Sequence, residues 1–261
     1  MIKFTQSDLH LIADIASDAG QKIMDIYNKK ISYEIKSDSS PVTKADIVSN
    51  NLICSRISKI YPGIPILSEE SKENFFLKND NGYFWCIDPL DGTKEFINKN
   101  DEFTVNIALI YKRKPVLGVI YLPVKQITYM ALDGNGAYKL DNKKIIPIKV
   151  RPQDKNKLTF LASRSHLNNE TVNFIKLHNG KITSAGSSLK FTYIADGQYD
   201  VYPRFGPTMI WDTAAGHCIL KEAGGHVISL ETFKPLEYDI NQLTNPQFIA
   251  LNKIFDFKIP H

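Results

Sequence analysis

Two aspartates three positions apart, Asp88 and Asp91, end an apolar run, with Pro89 between them and Gly92-Thr93 directly after. The stretch reads Trp85-Cys-Ile-Asp-Pro-Leu-Asp-Gly-Thr-Lys-Glu-Phe96. Phe84 to Ile87 fits a short buried strand. Pro89, with a fixed φ and no donor, is expected to stop the strand ladder. Carboxylates on a stiff turn suit a hard divalent cation such as Mg²⁺, which takes oxygen ligands and keeps positions for water and phosphate. Asp-Pro and Asp-Gly are also turn formers, so this stretch alone leaves two readings open, metal cradle or plain turn.

Other carboxylates bear on that choice. Glu69 and Glu70 sit side by side in Ser68-Glu-Glu-Ser71, just after the apolar run Ile64 to Leu67. Adjacent like charges at a strand end are easier to tolerate beside a cation, although both could point to solvent. Asp212 and Asp46 stand in the first turns of expected helices, where capping and the helix dipole already account for an acid. Carboxylates that converge from separate segments without basic neighbours call for a cation. Gly92 and Thr93, at a helix start, offer N–H groups and a hydroxyl to an anion. Metal cluster plus anion-binding helix start describes a phosphate-ester hydrolase, in which metals polarise the phosphate, activate water and stabilise the leaving oxygen. No Gly-x-Ser-x-Gly elbow, Walker loop or dinucleotide fingerprint offers a rival chemistry. Ser187-Ser188 read better as a helix cap than as a nucleophile, and His217 reads as a packing or surface residue.

The elements that must position these groups follow from periodicity. Apolar residues from Ile12 to Tyr27 share one face of a helix over residues 7–29, with Thr5 or Ser7 as cap. Ser32 to Ile35 reads as a short strand, followed by a polar loop from Lys36 to Ser40. A second helix spans Thr43 to Ile60, with Thr43 as N-cap and Leu52, Ile53, Ile57 and Ile60 as its buried stripe. Beyond Phe96, five β-rich runs between Thr104 and Val150 read as an antiparallel meander, with the basic tip Lys112–Lys114 solvated. The polar segment Arg151–Lys157 is the expected boundary, dividing the chain into 1–153 and 154–261. The second part alternates strand and helix, including helices from Asn168 to Leu177, from Gly186 to Ala195 and from Trp211 to Ala223, which suggests a smaller α/β half.

A chain of 261 residues with 43% hydrophobic content can bury a sizeable core, as one large domain or as two halves. A net charge of +4 is too small and dispersed to suggest nucleic acid as partner. Cys54, Cys86 and Cys218 lack metal spacing, and an odd count fits a reducing compartment. No segment reaches the apolar length of a membrane span and the N-terminus does not read as a signal peptide. A cytoplasmic protein is expected, with peripheral attachment to the inner face of the membrane left open.

Asp88-Pro-Leu-Asp91-Gly-Thr93, Ser68-Glu69-Glu70-Ser71 and Trp211-Asp212-Thr-Ala-Ala-Gly216 together resemble the inositol monophosphatase superfamily of Mg²⁺-dependent, lithium-sensitive phosphatases. The resemblance runs from Val42-Thr-Lys-Ala-Asp46 to the last helix. Lys94-Glu95-Phe96, Gly186-Ser-Ser-Leu-Lys190-Phe191 and Tyr202-Pro-Arg-Phe-Gly-Pro207 resemble its 3'(2'),5'-bisphosphate nucleotidase branch (CysQ type). The resemblance implies a layered α-β-α-β-α sandwich, N-terminal helices on an antiparallel sheet followed by the smaller α/β half. It implies two or three Mg²⁺ ions held by Glu69, Asp88, Asp91, Asp212 and the Leu90 carbonyl, with Gly92 and Thr93 on the phosphate. Thr93 and Glu69 would orient the attacking water, Asp46 would support Thr93, and Glu70 would stand behind the metal ligands. Lys190 is either a contact to the adenosine moiety or its second phosphate, or a solvated helical lysine. The implied reaction is hydrolysis of the 3'-phosphate of adenosine 3',5'-bisphosphate (PAP), with 3'-phosphoadenylyl sulfate as a second candidate substrate. The rivals are an inositol or sugar monophosphatase on the same metal core and, from another class, a non-catalytic phosphate- or RNA-binding protein.

Overall fold

Strand β4 (Tyr83–Asp91) is buried along almost its whole length, and its alternating side chains feed two separate cores. Phe84 and Cys86 enter one; Tyr83, Trp85 and Ile87 enter the other. A strand covered on both faces reads as a continuous apolar run rather than as an alternation. The computed structural model describes residues 3–29, 32–36, 41–71, 82–152, 154, 157–254 and 257. Residues 37–40 of the expected polar loop and 153, 155 and 156 of the expected boundary lie outside the described residues.

The first sheet has seven strands in the order β3 (Ile66–Ser68), β4, β5 (Thr104–Tyr111), β6 (Lys114–Leu122), β7 (Ile127–Leu132), β8 (Ala137–Asp141) and β9 (Lys144–Ile148). Only β3 is parallel to its neighbour; the rest is the expected meander. One face carries α1 (Gln6–Tyr27) and α2 (Lys44–Ile60). Thr5 and Asp8 close a capping box on α1, and Thr43 and Asp46 close one on α2. The other face carries α6 (Ile210–Glu222) and α5 (Leu189–Ala195). Gly118 on β6 permits that approach, because a Cβ there would lie 2.5 Å from the Ala215 carbonyl oxygen.

Beneath α5 and α6 lies a five-stranded sheet: β11 (Lys181–Ala185), β10 (Thr159–Ser163), β12 (Val201–Arg204), β14 (Phe248–Leu251) and β13 (His226–Ser229). Helix α4 (Asn169–Leu177) covers its outer face through Phe174 and Ile175. The layers therefore run helix, sheet, helix, sheet, helix. The core between the sheets joins Phe84 and Ile120 from the first to Tyr202 and Phe248 from the second.

Four expectations need correction. The β4 ladder does not stop at Pro89: Asp88 pairs with Asn106 and Asp91 with Thr104, so one extra residue bulges out. Strand β2 (Pro41–Thr43) pairs with β1 (Tyr33–Ile35), and β14 lies between β12 and β13; the sequence reading places no strand at either. The α2 stripe is also different: Ile53 and Ile57 are buried, whereas Ile60 is exposed. Its first turns bury Ala45, Asp46, Ser49 and Asn50 instead.

His217 on α6 is enclosed beside the Tyr238 hydroxyl, 3.0 Å from its Nδ1. Burial holds its ring neutral and pulls its pKa from 6.5 to about 3. Between those values the unfolded chain binds a proton that the folded one refuses, so this contribution is complete above pH 6.5 and is lost as pH falls towards 3. The stability-against-pH slope over that window is expected to be shallower in His217→Gln than in the wild type. The difference, read by denaturant unfolding at several pH values, is at most about 1.4 kcal/mol per pH unit.

Candidate active site

The β4 bulge, the short α3 (Thr93–Ile97) that follows it and the start of α6 meet at one place. There Asp88, Asp91 and Asp212 bring one carboxylate oxygen each within 4.8 Å of one another. Every member has one oxygen engaged by hydrogen-bond donors. The Leu90 N–H donates to Asp88 Oδ1 at 3.0 Å, and the Met209 N–H donates to Asp212 Oδ2 at 2.8 Å. Ser188 Oγ donates to Asp91 Oδ2 at 2.6 Å, and Asn106 Nδ2 donates to the same oxygen at 3.2 Å. Among the described residues no cation pairs with any of the three, and their second oxygens receive no hydrogen bond. Asp212 thus caps its helix and also faces the cluster.

Burial pushes all three acids above the ordinary carboxylate range, Asp88 and Asp212 well above it. Neighbouring charges add to that push, Glu69 and Asp91 on Asp88 and Asp91 on Asp212. For Asp91 the Ser188 and Asn106 hydrogen bonds and the Lys190 charge oppose it. Three hard oxygen donors this close, with no protein cation between them, fit a divalent metal. Asp88, Asp91 and Asp212 would hold it.

Helix α2 props the turn from behind with its polar stripe. Ser49 Oγ donates to the Pro89 carbonyl at 2.7 Å, inside the bulge, and Ser68 Oγ donates to Asn50 Oδ1 at 2.6 Å. Asp46 takes the Thr43 N–H and hydroxyl on Oδ2, and the Thr93 hydroxyl at 3.0 Å on Oδ1. The Thr93 hydroxyl also lies 3.4 Å from the Leu90 carbonyl oxygen. Gly92 adopts φ 93°, and a Cβ there would lie 3.0 Å from the Glu102 carbonyl oxygen, so the turn demands glycine.

Glu69 is held elsewhere. Lys36, read from sequence only as the start of a loop, donates to Glu69 Oε1 at 2.9 Å and to Glu70 Oε1. The expectation that the acids lack basic neighbours is therefore corrected for this pair, although the Glu69 charge is still felt at Asp88. Burial raises the Glu69 pKa to about 7 against the opposing pull of Lys36. No sequence signal joins Lys36 to Glu69, because the contact is made by tertiary packing of the β1–β2 hairpin.

The second half contributes the turn before α5. Ser188 does not cap that helix through its side chain; its hydroxyl lies between Asp91 Oδ2 and the Asp212 carbonyl oxygen, 2.8 Å from the latter. The capping reading is thereby corrected. Lys190 is buried, not solvated: its ammonium donates to the Ala185 carbonyl at 3.2 Å and to that of Ser187, over the Tyr202 ring. Burial lowers its pKa to about 8, opposed by Asp91. Asn106 was invisible as a site residue, being one polar position in an apolar strand; Glu95, buried in α3, accepts from Ser165 Oγ.

Residues 6–244 match the profile of the inositol monophosphatase family. The chain belongs to that family. It is 44% identical over 244 residues to a Salmonella typhimurium protein named 3'(2'),5'-bisphosphate nucleotidase CysQ, covering 92% of this chain and 98% of the relative. A Buchnera aphidicola protein of the same name is 45% identical over 224 residues, covering 84% of this chain and 83% of that one. Among solved structures, CysQ from Bacteroides thetaiotaomicron superposes with a TM-score of 0.85 at 39% identity, covering 97% of this chain and 99% of that one. The family fold of stacked helices and sheets is the one described above.

Burial and mutual repulsion raise the proton affinity of these acids, so a cation that binds them competes with protons. Adding Mg²⁺ or Mn²⁺ to metal-free protein is expected to raise the melting temperature and to acidify a weakly buffered solution. Both responses should be lost in Asp212→Asn.

Proposed function

We propose that the chain is a Mg²⁺-dependent phosphatase of the cytoplasm that hydrolyses the 3'-phosphate of adenosine 3',5'-bisphosphate to AMP and phosphate. 3'-Phosphoadenylyl sulfate is the second proposed substrate. The observation that carries this reading is the meeting of Asp88, Asp91 and Asp212 beside a turn whose Thr93 hydroxyl is held by Asp46. Similarity to proteins named 3'(2'),5'-bisphosphate nucleotidase supports the nucleotide substrate over a sugar phosphate.

Two or three bound Mg²⁺ ions would supply Lewis acidity towards the phosphate and a more acidic water. The chain does the rest. Asp88, Asp91, Asp212, the Leu90 carbonyl and Glu69 are the proposed ligands, Glu69 after parting from Lys36. Gly92 and Thr93 receive the phosphate at the start of α3. Thr93 donates its proton to Asp46, which leaves its oxygen lone pairs to accept from the attacking water. Glu69 accepts the other proton of that water, the bond from phosphorus to the 3'-oxygen breaks as the new one forms, and the leaving 3'-oxygen takes a proton from solvent. Glu70, which also holds Lys36, stands behind the metal ligands. Asp46 acts through Thr93 rather than on the substrate. Lys190 holds the 185–188 turn through two of its carbonyls and is proposed to bear on substrate choice by way of that turn.

Asp91→Asn is expected to lower phosphate release from the bisphosphate roughly a hundredfold or more while leaving the fold intact. Wild-type turnover by that variant at saturating Mg²⁺ would sink the metal assignment. A side-by-side panel is expected to show faster release from adenosine 3',5'-bisphosphate than from inositol 1-phosphate, and lithium is expected to suppress both. Comparable rates on the two substrates would instead favour an inositol or sugar monophosphatase.

A further inference from the structure

Asp91 is singular among the three clustered acids. Asp88 and Asp212 take their hydrogen bonds from backbone N–H groups two or three residues away. Asp91 is held by two side chains from other elements, Ser188 and Asn106, and both hydrogen bonds fall on Oδ2. Those two side chains are themselves aligned. The Thr104 hydroxyl donates to Asn106 Oδ1 at 2.9 Å, which orients the amide so that Nδ2 faces Ser188 Oγ at 2.8 Å and Asp91 Oδ2 at 3.2 Å. With Asn106 occupying an acceptor position on Ser188, the single hydroxyl proton of Ser188 is left for Asp91, a charged acceptor, in competition with the Asp212 carbonyl.

The turn that carries Ser188 is clamped on both sides. The Gly186 N–H donates to Glu102 Oε2 at 2.7 Å, and Glu102 is gripped by Arg164. The Lys190 ammonium ties the Ala185 and Ser187 carbonyls from within. Ser188 therefore has little freedom to let Asp91 turn.

We propose that Ser188 is a positioning residue for metal binding: by fixing Asp91 Oδ2 it presents the other Asp91 oxygen to the cation, so that the C-terminal half sets the geometry of a ligand on the N-terminal sheet. Asn106 acts through the same oxygen. This rests on the reading of Asp88, Asp91 and Asp212 as metal ligands, and the controls below separate the two.

The test is the Mn²⁺ affinity of the full-length protein, read from the free-ion electron paramagnetic resonance signal, with circular dichroism on every variant. Ser188→Ala is expected to weaken Mn²⁺ binding about tenfold or more, the usual consequence of losing a hydrogen bond to a ligating carboxylate. Ser188→Thr, which keeps the hydroxyl, is expected to bind near the wild-type value. The metal concentration for half-maximal activity should rise in Ser188→Ala, while KM for the bisphosphate at saturating metal should not. Asn106→Ala is expected to be less than additive with Ser188→Ala, since both remove donors from one oxygen. Wild-type affinity in Ser188→Ala, or equal loss in the threonine variant, overturns the proposal. Asp91→Asn serves as the control: if it also bound Mn²⁺ like the wild type, the metal assignment would fall with it.

Discussion

Mutual repulsion among Asp88, Asp91 and Asp212 is the constraint around which the rest is arranged. Two unit charges about 4 Å apart repel by roughly 4 kcal/mol at an effective dielectric of about 20. Three such groups lie within 4.8 Å, and among the described residues no cation pairs with them. A fold does not bring these groups together unless something else is bound there, or unless protons stay on. The chain lessens the cost by giving each acid at least one donor, from the bulge for Asp88, the start of α6 for Asp212, and Ser188 and Asn106 for Asp91. The remaining charge is left for a divalent ion to neutralise.

Holding mutually repelling groups in register needs stiff supports, and the layers provide them. The bulge at Pro89 is braced from one side by Ser49 of α2 and lies in a sheet buried on both faces. Helix α6 is pressed between the two sheets, close enough that Gly118 cannot carry a side chain. Its N-terminus therefore meets the end of β4 at a set distance. The same packing brings the turn of α5 against Asp91, so the site straddles the two sheets.

Lys36 and Lys190 flank the site without entering the cluster. Lys36 is committed to Glu69 and Glu70, and Lys190 to backbone carbonyls. Lys36 tempers the charge of Glu69, and Lys190 that of Asp91. Neither takes the position between the three aspartates, which a lysine there would close to a metal.

Much of this was legible in the chain itself. Local rules reached the capping box at Thr43, a cap for α1 at Thr5 or Ser7, the meander, and the carboxylates Asp88, Asp91 and Asp212, because caps, turns and strand ends are set by neighbours within a few residues. The motif resemblance reached the family and the layered fold. Tertiary structure alone decided that the β4 ladder runs on through a bulge at Pro89, because β5 pairs with Asp88 and Asp91 on either side of it and Ser49 braces its carbonyl. It also decided that Ser188 reaches Asp91 across 97 positions and that Lys36 crosses 33 to reach Glu69. Those contacts come from the packing of whole layers. A serine before a helix or a lysine in a polar loop looks the same in sequence whether or not a carboxylate is packed against it.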